Sequence, residues 1–112
     1  MLAKENRLVK TKDFENVFKR GKFFAEDFIN LKVADNNLDI SRFGFIVGLK
    51  VSKKAVRRNR VKRQIREIIR LKLDKIKKGF DVVIMAKPEI IGRNYKEIER
   101  VMNNILMKSK LI

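Results

Sequence analysis

The sequence has no cysteine, no histidine and no tryptophan, a single proline, and only 13 acidic residues in 112. Without cysteine there is no disulfide framework and no thiolate metal site, which is compatible with a reducing compartment. Without histidine the imidazole pair that often cleaves phosphodiesters is missing. The acids at Glu26-Asp27 and between Asp35 and Asp39 read as strand-edge and turn positions rather than a metal-holding cluster. No glycine-rich phosphate loop is present, because Gly44 and Gly48 fall inside a strand pattern. The N-terminal stretch MLAKENRLVK lacks the apolar core of a signal peptide, and no run approaches the length of about 18 apolar residues that a membrane span needs. The expectation is a soluble, cytoplasmic protein that binds rather than cuts.

What is abundant is positive charge and apolar bulk. Twenty-nine Lys and Arg give a formal charge of +16, and 45% of the residues, eight Phe among them, are hydrophobic. That is enough apolar content for one packed domain spanning residues 1–112, and too short a chain for two. A charge of this size on so small a domain calls for a polyanionic partner, either nucleic acid or an anionic membrane surface.

Along the chain, Thr11 reads as an N-cap, with Asp13 and Glu15 at the positive end of the helix dipole and Phe14, Val17 and Phe18 at helical spacing. Gly21 suits the stop, so a first helix covers about 12–20. From Phe23 to Ala34 the pattern alternates, with Ile29, Leu31 and Val33 on one face and Phe28, Asn30 and Lys32 on the other. DNNLD marks a turn, FGFIVGLKV a second β-rich run, KKGFD a break, and DVVIMA a strand buried on both faces. In a final helix Ile98, Val101, Met102, Ile105 and Leu106 repeat with a period near 3.6. These elements, in the order αββαβα, indicate an α+β fold with one sheet packed by helices.

Between the second run and the break lies KKAVRRNRVKRQIR, residues 53–66. At about 100° per residue, Val61, Ile65 and Ile68 share a narrow stripe bordered by Ile69 and Ile76. Asn59, Arg63, Arg66 and Arg70 share the opposite one, flanked by Arg60 and Lys62, and Glu67 is placed to pair with Arg63 or Arg70. Residues 50–78 hold fourteen basic residues against two acids, a local balance of +12 that leaves +4 for the rest of the chain. A basic helix face is often no more than solvated surface. This one is both lopsided and rich in Arg, whose planar fork suits phosphate, so an RNA or DNA backbone is the favoured partner. The apolar stripe is narrow, β-branched and without aromatics, as expected for docking on a sheet rather than lying on lipid.

The segment AVRRNRVKRQIRE resembles the RNR signature of the bacterial ribonuclease P protein component. NRLVKTKDFENVFKRGK is similar to that family's opening, RFGFIV to its strand before the basic helix, and GFDVVIMAKP to its last strand. One departure is visible. The family has a Gly-containing turn before the Ala-Val that opens the helix, whereas VGLKVSKKAV has no Gly after Gly48 and leaves the turn to Ser52 and Lys53. The resemblance implies a two-layer sandwich of αβββαβα order, with a mostly antiparallel sheet and a left-handed βαβ crossover at the basic helix, against the usual hand.

It also implies a subunit of the endoribonuclease that removes the 5′ leader of precursor tRNA. The catalytic Mg²⁺ would be held mainly by the RNA subunit, and the isolated chain would not cleave. Arg57, Arg58, Asn59, Arg60, Lys62, Arg63, Arg66 and Arg70 would then contact the ribonuclease P RNA. Phe14 and Phe18 would line a cleft for the precursor tRNA leader, with Phe28, Asn30 and Lys32 on its strand wall. Their other reading is that Phe14 and Phe18 are core residues at i, i+4 and that the strand positions form an ordinary exposed face. Stacking on aromatics tolerates sequence variation, as a leader requires. A homodimer of the free protein stays open, as does a general or ribosomal RNA-binding role outside tRNA processing.

Overall fold

A computed structural model describes residues 2–112. The elements run α1 (Thr11–Arg20), β1 (Lys22–Glu26), β2 (Ile29–Asp35), β3 (Arg42–Ile46), α2 (Ala55–Lys72), β4 (Phe80–Ala86) and α3 (Tyr95–Lys108), with short 3-10 turns between some of them. The order is therefore αβββαβα. The residues 23–34 that alternate as one run in the sequence are two strands, because Asp27 adopts a left-handed backbone (φ 51°) and folds them into a hairpin in which Glu26 faces Ile29. Asp tolerates that conformation better than most residues, yet nothing in the apolar periodicity announces it.

The sheet has strand order β1-β2-β4-β3, with β1/β2 and β2/β4 antiparallel and β3/β4 parallel, joined through α2. One face buries Ile29 and Leu31 of β2, Phe43 of β3 and Val82 and Ile84 of β4 against α2 (Val61, Ile65, Ile68, Ile69) and α3 (Ile98, Val101, Met102, Ile105, Leu106). Both helical stripes are the ones the 3.6-residue period marks. Ile76 is also buried, but beyond the end of α2. β4 is central and its middle residues are fully buried, as its unbroken apolar run suggests.

α1 lies on the opposite face of the sheet, where Leu8, Val17, Ala34 and Val83 form a second, smaller core with Phe14, Ile46 and Met85 packed against it. Lys10, not Thr11, occupies the N-cap, and it offers no side-chain cap. Gly21 ends α1 with ordinary extended backbone (φ −75°), its N–H donating to the Val17 carbonyl at 2.8 Å. Glycine is needed there for space, because a Cβ would collide with the carbonyl oxygen of Val17 and press on that of Val33. The N-terminal segment runs along the outer edge of β3, where the Leu8 N–H donates to the Phe43 carbonyl at 2.9 Å and covers part of that edge.

Candidate nucleic-acid interface

α2 turns its four buried residues to the sheet and its basic residues to solvent. Arg57, Arg60, Lys62 and Arg63 have no acidic partner among the described residues, and Asn59 is exposed beside them. The other three basic residues of the expected face are held within the chain. Arg58 donates to the Ser52 carbonyl at 2.9 Å, and the Arg66 guanidinium sits 5.8 Å from the centroid of the Phe45 ring. Arg70 makes a two-pronged pair with Glu67 at 2.9 and 2.7 Å. That hydrogen-bonded pair lowers the Glu67 pKa and raises that of Arg70. Both side chains are well exposed, so its effect is to orient the guanidinium more than to stabilise the fold.

The N-terminus of α2 is left open. No side chain caps it and no acid lies in its first turn, whereas α3 carries a complete capping box between Asn94 and Glu97. Unsatisfied N–H groups at the positive end of an 18-residue helix, beside Arg57 and Arg60, favour an anion. The turn before it needs no glycine after Gly48. It closes as Gly48–Val51, with the Val51 N–H on the Gly48 carbonyl at 3.0 Å, and none of these residues has a positive φ. Ser52 then accepts the Lys54 N–H on its hydroxyl at 3.2 Å.

On the α1 side, strand register lays the residues of that face in three rows. Ala25, Asn30, Met85 and Ile46 form the first, Phe23, Lys32, Val83 and Gly44 the second, and Ala34, Asp81 and Arg42 the third. α1 crosses the second row. The Phe14 ring occupies the space above Gly44 that a Cβ would need, and Lys32 Nζ donates to the Phe18 carbonyl at 2.6 Å while lying 6.0 Å from the Phe18 ring. Lys32 thereby satisfies a carbonyl in the last turn of α1, a role the sequence does not display.

The first row runs beside α1 on the Phe18 flank and is only partly buried, with Ile46 and Met85 packed toward the small core, and this flank is the candidate groove. Phe18 is 40% exposed, and Asn30 Oδ1 is buried there with no hydrogen-bond partner. Phe23, on the edge strand opposite Lys32, is 55% exposed and adds a second aromatic that the sequence reading passed over. Phe14 is half-buried and serves both the core and the groove wall. Phe28 is elsewhere. It sits at the hairpin turn, 1% exposed, in the core on the other face, with the Arg93 guanidinium 5.5 Å from its ring. The alternation that groups it with Asn30 and Lys32 ends at the turn, so it does not line this groove.

The third row carries a buried charge network. Asp81, 2% exposed, accepts from Arg42 at 2.8 and 2.7 Å and from Asn36 at 3.0 Å, and Arg42 reaches on to Asp13 of α1 at 3.3 Å. The bond to Asp81 raises the Arg42 pKa further. Among the described residues no three carboxylates converge as metal ligands, and Asp13 and Asp81 are both engaged by Arg42. The protein's own donors therefore do not fit a catalytic Mg²⁺.

An α+β domain with an unpaired Arg-rich helix face and a separate groove lined by aromatics belongs to the class of nucleic-acid-binding proteins. Comparison with known proteins narrows the class to one family. The ribonuclease P family model matches residues 2–110. The ribonuclease P protein component of Clostridium botulinum (strain Langeland) is 42% identical over 107 residues, covering 95% of this chain and 96% of that protein. The RNase P protein from Thermotoga maritima superposes with a TM-score of 0.83 at 32% identity, covering 91% of this chain and 96% of that one. The Staphylococcus aureus RNase P protein gives a TM-score of 0.88 at 26% identity, covering 95% and 96%. The chain belongs to the ribonuclease P protein-component family, a subunit of the endoribonuclease that matures the 5′ end of tRNA.

Proposed function

We propose that α2 binds the ribonuclease P RNA and that the groove between α1 and the first row of the sheet binds the 5′ leader of precursor tRNA. The observation that carries the first part is the α2 face, where Arg57, Arg60, Lys62 and Arg63 face solvent without acidic partners beside an uncapped helix N-terminus. Arg58, Arg66 and Arg70, held by Ser52, Phe45 and Glu67, complete that face as pre-oriented donors. The second part is supported by Phe18 and Phe23 on either side of Lys32, with the unpartnered Asn30 oxygen below them. Exposed rings accept any base, and Lys32 keeps two free N–H donors for phosphate.

The mechanism is electrostatic and positional. Two polyanions, the catalytic RNA and its substrate, repel each other, and a +16 protein between them screens that repulsion while holding the leader beside the cleavage site. The Mg²⁺ that the reaction uses is assigned mainly to the RNA partner. Phe18→Ala should weaken holoenzyme binding of precursor tRNA while leaving mature tRNA, which has no leader, unchanged. Competition binding measures this ratio, and equal losses for both substrates would remove Phe18 from the leader site.

A further inference from the structure

The flank of α1 away from Phe18 borders a concavity that continues round the end of the sheet to the end of α3 on the other face, and it has no part in the function proposed above. On the flank away from Phe18, Lys12, Asn16 and Arg20 repeat every four residues and line one wall of a concavity of about 940 Å³. Its far wall is the end of α3 through Lys110, and Lys22 of β1 stands on its rim. This volume lies at the top of the range for small-ligand sites, so a nucleotide fits within it. Phe24 and Phe80, both half-buried, offer apolar surface inside.

The charge of this second groove is sorted. Arg42 engages both Asp13 and Asp81, which leaves that cluster with a net charge of −1, and with Asp35 the three lining acids are outnumbered by the lining cations. Lys12, Arg20, Lys22 and Lys110 have no ion-pair partner among the described residues, and Asp35 is the one lining acid that Arg42 does not engage. Outside residues 50–78 the chain carries only +4, yet four free cations are gathered around this one hollow. They come from three separate parts of the chain, α1, β1 and the residues just after α3, as contact with successive phosphates of a strand requires. A single phosphate would want them converging on one point.

We infer that this second groove binds single-stranded RNA, with backbone phosphates on Lys12, Arg20, Lys22 and Lys110 and a base against Phe24 and Phe80. The inference rests on the reading of the chain as an RNA-binding subunit. The strand comes either from a part of the precursor leader beyond the first groove or from an unpaired segment of the ribonuclease P RNA. The chemistry recognised is the same in both cases.

The chain has no cysteine, so Asn16→Cys creates a unique attachment point for an aryl azide photo-crosslinker on the wall of the second groove. Val56→Cys, 79% exposed at the start of α2, serves as the reference. Each labelled protein is assembled with a bacterial ribonuclease P RNA and a long-leader precursor tRNA, and crosslinked nucleotides are mapped. Crosslinks from Asn16→Cys to RNA are expected, and the nucleotides hit identify the leader or the RNA subunit as the source. RNA crosslinks from Val56→Cys with none from Asn16→Cys overturn the second groove and leave the α2 reading intact. None from either position overturns both. In parallel, Lys12→Ala/Lys22→Ala/Lys110→Ala should reduce the salt dependence (log Kd against log salt) of RNA binding by about 2, at roughly 0.7 per single-strand phosphate. An unchanged slope in a variant with native circular dichroism contradicts the inference as well.

Discussion

Gly44→Ala tests the seat of α1 on the sheet. A Cβ at position 44 falls among the outer atoms of the Phe14 ring, with Leu8 close behind, so the ring must move. Gly44 is buried in the middle of β3 with no positive φ, so backbone strain plays no part and the cost is overpacking, about 1–3 kcal/mol. Against a total stability of about 5–15 kcal/mol for a domain, that loss is readily measured by urea unfolding of the free protein. The cause is isolated by adding Phe14→Leu, which removes the ring atoms that the new methyl meets. The double variant should be more stable than the sum of the two singles predicts, with a coupling of at least about 1 kcal/mol. Gly44→Ala should also impair precursor tRNA binding more than mature tRNA binding, because the displaced ring stands beside the groove proposed for the leader. Additivity of the two substitutions within about 0.5 kcal/mol would refute the contact.

Asp81→Ala strands Arg42 with only Asp13 and leaves Asn36 short of an acceptor, so it should destabilise the fold by about 3 kcal/mol in urea unfolding. Asp81→Ala/Arg42→Ala should recover part of that loss, and failure to recover any would show that the charge network is not the cause. Arg63→Ala, at an unpaired and exposed position, should weaken binding to the RNA subunit and lower the salt slope by about 1, with an unchanged urea midpoint. Arg66→Ala should do the same and also lower stability, because its guanidinium rests on Phe45. A slope unchanged in both variants would remove the α2 face from the interface.

Most of what the sequence displays is local. α2 and α3 are legible because the 3.6-residue period decides which residues meet the sheet, and the unbroken apolar run of β4 matches its central, doubly buried place. The basic face is legible for the same reason. The hairpin at Asp27 is not, since one left-handed Asp interrupts no hydrophobic pattern, and Phe28 goes to the wrong face with it. The buried Asp81–Arg42–Asp13 chain joins residues 29 to 68 positions apart, which no short window relates. The seat of Phe14 on Gly44 and the bond from Lys32 to the Phe18 carbonyl are likewise products of register. Phe23 becomes a groove residue only once β1 is known to be an edge strand facing Lys32.

Cleavage of a precursor tRNA leader by a bacterial ribonuclease P RNA at limiting Mg²⁺, with and without this protein, tests the central claim most directly. A large rate increase that requires both components is expected, with no cleavage by the protein alone. The increase should shrink as added salt or Mg²⁺ takes over the screening. An RNA that is bound tightly by the protein but cleaves the leader no faster would contradict the claim.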